Sequence, residues 1–140
     1  MNSNSDNTKV GKTFQEMVCR KLERHFDTCF DLEVPMMIGT PGKAHRFDCV
    51  SMDRDIVVEC KAYTWTDTGN VPSAKLMGLN EALFYMSYLP DEVSKILCIK
   101  KSTHPRRDET LAEYYKRTYG HLFRNVQLYE VDDDGNIRVI

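Results

Sequence analysis

The stretch from His45 to Tyr63 is the strongest constraint on how this chain can fold. Two strand-like runs, His45 to Ser51 and Asp55 to Tyr63, are separated only by Met52, Asp53 and Arg54. So short a polar break joins antiparallel neighbours, because a parallel return needs a dozen residues or more. A tight turn on Asp53 and Arg54 pairs Met52 with Asp55 and, counting outward, Asp48 with Glu59 and Arg46 with Lys61. A four-residue loop leaves this pairing intact, whereas an odd-length loop shifts it by one. Alternation along the strands collects Arg46, Asp48, Glu59 and Lys61 on one face. It leaves Phe47, Cys49, Ile56, Val58, Cys60 and Ala62 on the other, an apolar face suited to a core.

Two carboxylates directly opposed in a sheet lie about 5 Å apart at Cβ and repel each other. They call for a cation, which Lys61, Arg46 or a divalent metal can supply. Two carboxylates completed by waters form a hard-oxygen site of the kind magnesium takes. The competing reading is a solvated sheet face with cross-strand ion pairs. Against it, Glu59 and Lys61 lie within the aliphatic run Ile56-Val-Val-Glu-Cys-Lys-Ala-Tyr63, where burying charge is costly.

The rest of the chain frames this hairpin. Val10, Phe14, Met17, Val18, Leu22 and Phe26 recur at helical spacing and predict an amphipathic helix over Lys9 to Phe26. Phe30, Leu32 and Val34 alternate with polar residues, predicting a strand that ends near Pro35 or Ile38, before the turn cluster Gly39-Thr-Pro-Gly42. A second helix is expected from Ser73 to Leu89 on the stripe Leu76, Leu79, Leu83 and Met86. A buried strand is expected at Ile96 to Ile99, and a third helix at Asp108 to Phe123. A closing hairpin is expected from Val126 to Val131 and from Ile137 to Ile140. Helices interleaved with a strand hairpin point to an α/β layered domain with a mixed sheet. No repeat or linker divides it, so residues 9–140 read as one domain behind a disordered Asn/Ser-rich lead-in at residues 1–8.

The 140 residues suffice for a single core, and no apolar run has the length to cross a bilayer. No signal segment is evident, so a cytoplasmic protein is expected. Five cysteines without a CxxC pair, and four scattered histidines, indicate neither a disulfide framework nor a zinc ribbon but reduced, mostly buried thiols. The net charge of −2 is unusual for a dedicated nucleic-acid binder. The charge is uneven, however. Lys100, Lys101, Arg106, Arg107, Lys116, Arg117 and Arg124 outnumber Asp108, Glu109 and Glu113, while acids dominate the tail, so a local basic surface can form.

With Arg46-Phe-Asp48, a spacer of ten residues and Glu59-Cys-Lys61, the chain resembles the PD-(D/E)xK nuclease superfamily, which includes restriction endonucleases and archaeal Holliday junction resolvases. The helix opening Gly11-Lys-Thr-Phe-Gln-Glu-Met-Val18 is similar to the first helix of the Mrr-type and resolvase-like branches. The likeness runs from this helix to about Lys101. Phe47 stands where the family motif has proline.

The resemblance implies a restriction-endonuclease-like, three-layer domain with a central mixed sheet and an α-β-β-β-α-β core. It implies Asp48 and Glu59 as magnesium ligands (manganese substituting), the Cys60 carbonyl as a further ligand, and Lys61 as the catalytic lysine. Many members place a glutamate on the first helix; Gln15 occupies that position here, with Glu16 next, and either is a candidate or a solvent-facing helix residue. Lys75 and Asn80 on the following helix are candidates for contact with phosphates or exposed helix polars, and Lys100, Lys101, Arg106 and Arg107 beyond it are candidates for phosphate contact or part of a solvated loop. Trp65 is a candidate for base stacking or a cap on the core. The expected activity is endonucleolytic hydrolysis of phosphodiester bonds in DNA by a homodimer. The alternative is a noncatalytic nucleic-acid-binding or assembly module that keeps the nuclease fold.

Overall fold

Each anticipated element is present in the computed structural model, which describes residues 4–140, with side chains from Asn7 onward. In chain order these are α1 (Asn4–Phe26), β1 (Phe30–Ile38), β2 (Lys43–Ser51), β3 (Ile56–Lys61) and α2 (Ser73–Met86). They continue with β4 (Ser94–Lys100), α3 (Leu111–Tyr119), a 3-10 turn (Gly120–Leu122), β5 (Val126–Val131) and β6 (Ile137–Val139). The six strands form one mixed sheet in sequence order. β3, β4 and β5 run parallel, joined by α2 and α3, while the β1–β2, β2–β3 and β5–β6 pairs are antiparallel.

The sheet has an apolar core on each face. Phe14, Val18, Cys19 and Leu22 of α1 pack on Cys49, Val58, Ile96, Cys98 and Tyr129. Leu76, Leu79 and Leu83 of α2, with Leu111 and Tyr115 of α3, pack on Phe47, Val57, Leu97, Ile99 and Leu128. Successive β4 residues thus serve opposite cores, which is why that strand reads as an unbroken apolar run. Among the described residues no helix is long and apolar enough to cross a membrane.

Several element ends differ from expectation by a few residues, among them the Leu89 end expected for α2, which stops at Met86, and the Phe123 end expected for α3, which stops at Tyr119; two of the starts are instructive. Helix α1 starts at Asn4, inside the stretch read as a disordered lead-in; residues 1–3 of that stretch lie outside the described residues. Extending an established helix costs little per residue, so polar residues without an apolar stripe can join it. Helix α3 starts at Leu111, later than the expected Asp108. A reciprocal cap sets that start: the Thr110 hydroxyl accepts from the Glu113 N–H, and the Thr110 N–H donates to the Glu113 carboxylate.

The β1–β2 ladder holds one register, from Phe30 opposite Ser51 to Ile38 opposite Lys43, but skips Glu33 and Asp48. Glu33 adopts the left-handed region at φ 53°. With both strands distorted together the register survives while the side-chain alternation slips. Phe47 and Val50 both face the α2 side, whereas Cys49 between them faces α1. A glutamate in this conformation is strained by about 1–2 kcal/mol. Glu33→Gly is therefore expected to stabilise the fold by up to about 1 kcal/mol once the added backbone freedom is subtracted, read as a higher urea midpoint at unchanged slope. A lower midpoint would show that Glu33 side-chain contacts outweigh the strain.

Candidate active site

The β2–β3 hairpin has the register that a turn at Asp53 and Arg54 dictates, with Cys49 opposite Val58 and Val50 opposite Val57. The regular ladder stops there, one step short of Asp48 and Glu59. Beyond that step the two acids bridge the strands with their side chains. The Asp48 N–H donates to Glu59 Oε1 at 3.1 Å, and the Cys60 N–H donates to Asp48 Oδ2 at 2.8 Å. Among the described residues, the second oxygen of each carboxylate accepts no hydrogen bond. In an extended strand the N–H and C=O of one residue point the same way, so the Cys60 carbonyl also turns toward β2.

The electrostatics follow from burial. Glu59 is 5% exposed. Desolvation, and then repulsion from Asp48, push its carboxyl up to about 8, with Lys61 and the Asp48 N–H opposing. Burial raises Asp48 as well, countered by the Cys60 N–H and by Lys61. Two acids this close in a poorly solvated place cannot both ionise at neutral pH without more positive charge than Lys61 provides. Lys61 lies on the same sheet face, half-buried, its Nζ 5.9 Å from the centre of the Tyr63 ring. Lys75 of α2 approaches the same ring at 5.9 Å. Gly78 makes room for Tyr63, since a Cβ there would sit 2.9 Å from the phenol oxygen.

Two residues missed from the sequence belong to this cluster. His45 stacks on Tyr85 of α2 at 4.1 Å, meets Phe47 edge-on, and brings Nε2 to 3.9 Å from Glu59 Oε1, too far for a hydrogen bond. Burial lowers its pKa, so the imidazole is neutral at pH 7. The other is Glu33, which stands across from Asp48 and adds to the charge that raises its pKa. Neither was visible as a candidate, because strict alternation puts His45 on the face away from Asp48 and nothing local marks Glu33 as left-handed.

Arg46 and Phe47 stand the other way round from expectation. The slip at Asp48 turns Phe47 and His45 toward α2 and leaves Arg46 exposed on the other side of the strand, away from Lys61. Gln15 reaches the site from α1, its Nε2 3.4 Å from the Asp48 carbonyl oxygen, while Glu16 is exposed. Asn80 is turned toward α3, where its Oδ1 accepts from the Tyr115 hydroxyl at 2.8 Å.

The cations at the end of β4 and beyond it are dispersed. Lys100 lies 3.6 Å from Asp133 beside α1, and Lys101 is exposed near Asp132. Arg107 and Arg117 both pair with Glu109. Arg106 and Arg107 occupy the loop after β4, which is tied to the loop after β3. The Arg106 N–H donates to His104 Nδ1, which leaves Nε2 protonated to donate to the Gly69 carbonyl at 3.0 Å. Trp65 caps the core at 6% exposure, edge-on to His104 and Tyr114 under the Arg107 guanidinium. All five thiols are free: Cys19, Cys49 and Cys98 buried, Cys60 half-buried and Cys29 exposed.

Comparison of the chain with protein-family models, with curated proteins and with solved structures finds no match.

Proposed function

We propose that this chain is a metal-dependent nuclease that hydrolyses phosphodiester bonds in DNA, on the plan of the PD-(D/E)xK superfamily. The observation that carries the reading is the opening of the β2–β3 ladder where Asp48 and Glu59 meet across the gap, with Lys61 on the same face. The site suits a divalent cation. Glu59 is buried with half-buried Asp48 beside it, the pair is short of positive charge, each keeps one carboxylate oxygen without a hydrogen bond, and the Cys60 carbonyl turns the same way. These are hard oxygen donors, suited to magnesium or manganese.

Asp48 and Glu59, with the Cys60 carbonyl, would hold the ion. Bound there, it supplies an activated water and positive charge for the phosphate. Lys61 provides a further fixed charge and three N–H donors, which orient the attacking water and answer the negative charge that develops during attack. Gln15 steadies the Asp48 backbone from α1, so the acid keeps its position as the ladder opens. Lys75, and Arg106 and Arg107 at the same end of the sheet, would contact backbone phosphates, which position a strand without reading its bases. A domain with so few elements beyond its core suits structure-selective or partner-directed cleavage. Cleavage of both strands by a homodimer belongs to the same reading, and sedimentation velocity checks it.

The test is cleavage of supercoiled and branched DNA by the purified chain with magnesium, manganese or chelator. Cleavage is expected with either metal and not with chelator. At neutral pH Glu59 holds a proton that must leave before both acids can take a cation. Magnesium affinity should therefore rise by up to about tenfold per pH unit from pH 6 and level off above about 8. Calorimetric titration measures it. DNA binding with no cleavage under any metal would favour the noncatalytic module, and nicking that persists in chelator would sink the metal-dependent mechanism.

A further inference from the structure

We propose a second ligand site on the far side of α2, one that binds a nucleoside phosphate: a small anion carrying a flat ring. This inference does not depend on the nuclease reading. A cavity of about 660 Å³ lies between the C-terminal half of α2 and the segment leading from the 3-10 turn into β5, within the size range of small-molecule sites. Helix α2 separates it from the acids. Gly78 and Tyr85 turn toward Tyr63 and His45, whereas Asn80, Phe84 and Ser87 line the cavity. Along the sheet, Lys95 pairs with Val57, four residues and roughly 13 Å of strand before Lys61.

Lys95 is the feature that points to a ligand. It lines the cavity at 4% exposure, and among the described residues it forms no hydrogen bond or ion pair. Its stem is buried while its ammonium opens into the cavity without a partner, whereas a leucine in its place would simply extend the adjoining core. Arg124 and His121 line the same cavity, both exposed and without an ion pair among the described residues, while Asp91 is an acid on its wall. The balance favours an anion.

The remaining walls select what the anion is attached to. Phe84 and Tyr88 stand exposed at 62% and 51%, edge-on to each other at 5.4 Å, and offer apolar surface at the rim on which a ring can stack. Asn80 is held with its carbonyl toward Tyr115. Its NH2 group has only Met77 Sδ at 3.9 Å and is left to donate to a ring acceptor. Unpartnered positive charge, aromatic surface and an oriented amide on the walls of one cavity fit the parts of a nucleotide better than a bare phosphate or an apolar molecule.

The test is calorimetric titration of the full chain with AMP, GMP, CMP and UMP in chelator, which keeps divalent metal away from Asp48 and Glu59. Adenosine and inorganic phosphate serve as half-ligands. At least one nucleotide should saturate a single site, with each half-ligand weaker by about tenfold or more. Arg124→Ala and Tyr88→Ala alter exposed residues and so keep the fold; each should weaken binding by about tenfold. Lys95→Met should weaken it likewise while melting no lower than wild type. The proposal is overturned if no nucleotide saturates at millimolar concentration, if both exposed variants bind as wild type does, or if phosphate alone matches the best nucleotide. Because no cleavage is read, the result stands whether or not the chain is a nuclease.

Discussion

Glu59→Gln is expected to raise the melting temperature of the metal-free protein at pH 8 and to abolish metal-dependent cleavage. The stability half follows from linkage. The Glu59 carboxyl titrates near 8 in the folded chain, against 4.5 for an unperturbed glutamate. A raised pKa means that the folded state binds the extra proton, so stability falls as pH climbs from about 4.5 to about 8 and then levels off. Glutamine has nearly the same shape and no charge to desolvate. The variant should gain on the order of 1–3 kcal/mol at pH 8, or about 3–10 °C, with the gap closing toward pH 5. Its amide oxygen can still accept from the Asp48 N–H. Cleavage should fall by about a thousandfold or more, because one of two charged donors for the cation is gone. Melting curves at the two pH values and a nicking assay read both halves. An unchanged melting temperature at pH 8 would mean that Glu59 is better solvated than its surroundings indicate.

The second large effect is expected at Lys61. Lys61→Met should lower cleavage by about 10²–10⁴-fold and leave DNA affinity nearly unchanged, since one phosphate contact among several contributes little. Lys61 holds down the pKa of both Asp48 and Glu59. Its loss should therefore shift the pH dependence of magnesium binding to the alkaline side, an effect that loss of a merely structural lysine would not produce. The paired control is Arg46→Ala. Strict alternation gives Arg46 the same standing as Lys61, but the slip at Asp48 turns it outward, so cleavage should stay within about twofold of wild type. Equal losses at the two positions would place Arg46 back on the site face.

Coupling of the two sides of the site is visible in how the strands are held. Glu33 in the left-handed region, the skipped pair with Asp48 and the neutral His45 beside Glu59 are neighbours across β1, β2 and β3. Backbone strain and buried like charges persist only where surrounding packing imposes them, and here α1 and α2 clamp the distorted strands from both faces. Holding a buried carboxyl beside a second acid costs stability, which is why neutralising Glu59 is expected to stabilise the chain.

Much of the plan was legible from local pattern. The apolar stripe of α1, the aliphatic run of β4 and the short turn at Asp53 and Arg54 each carry their structure within a few residues. The hairpin register followed from turn length alone, and with it the meeting of Asp48 and Glu59. The start of α3 was misplaced because its cap depends on Thr110 and Glu113 bonding reciprocally, and Asp108 offered a competing start. Asn80 reads from the sequence as either a phosphate contact or an exposed helix polar, because a helix position does not say which neighbour its amide will find; Tyr115, which donates to it, lies 35 residues away.

By itself, the sequence determined the order of the elements, the pairing of β2 with β3 and the identity of the two acids that face one another, because turn length and alternation act over short distances. Only the tertiary structure decided that His45 and not Arg46 joins them, that α2 stands between the acids and the cavity lined by Lys95, and that Lys95 has no partner among the described residues. Each of these depends on helices packing against both faces of the sheet, and on two strands distorting in concert at Glu33 and Asp48, which no window of neighbouring residues encodes.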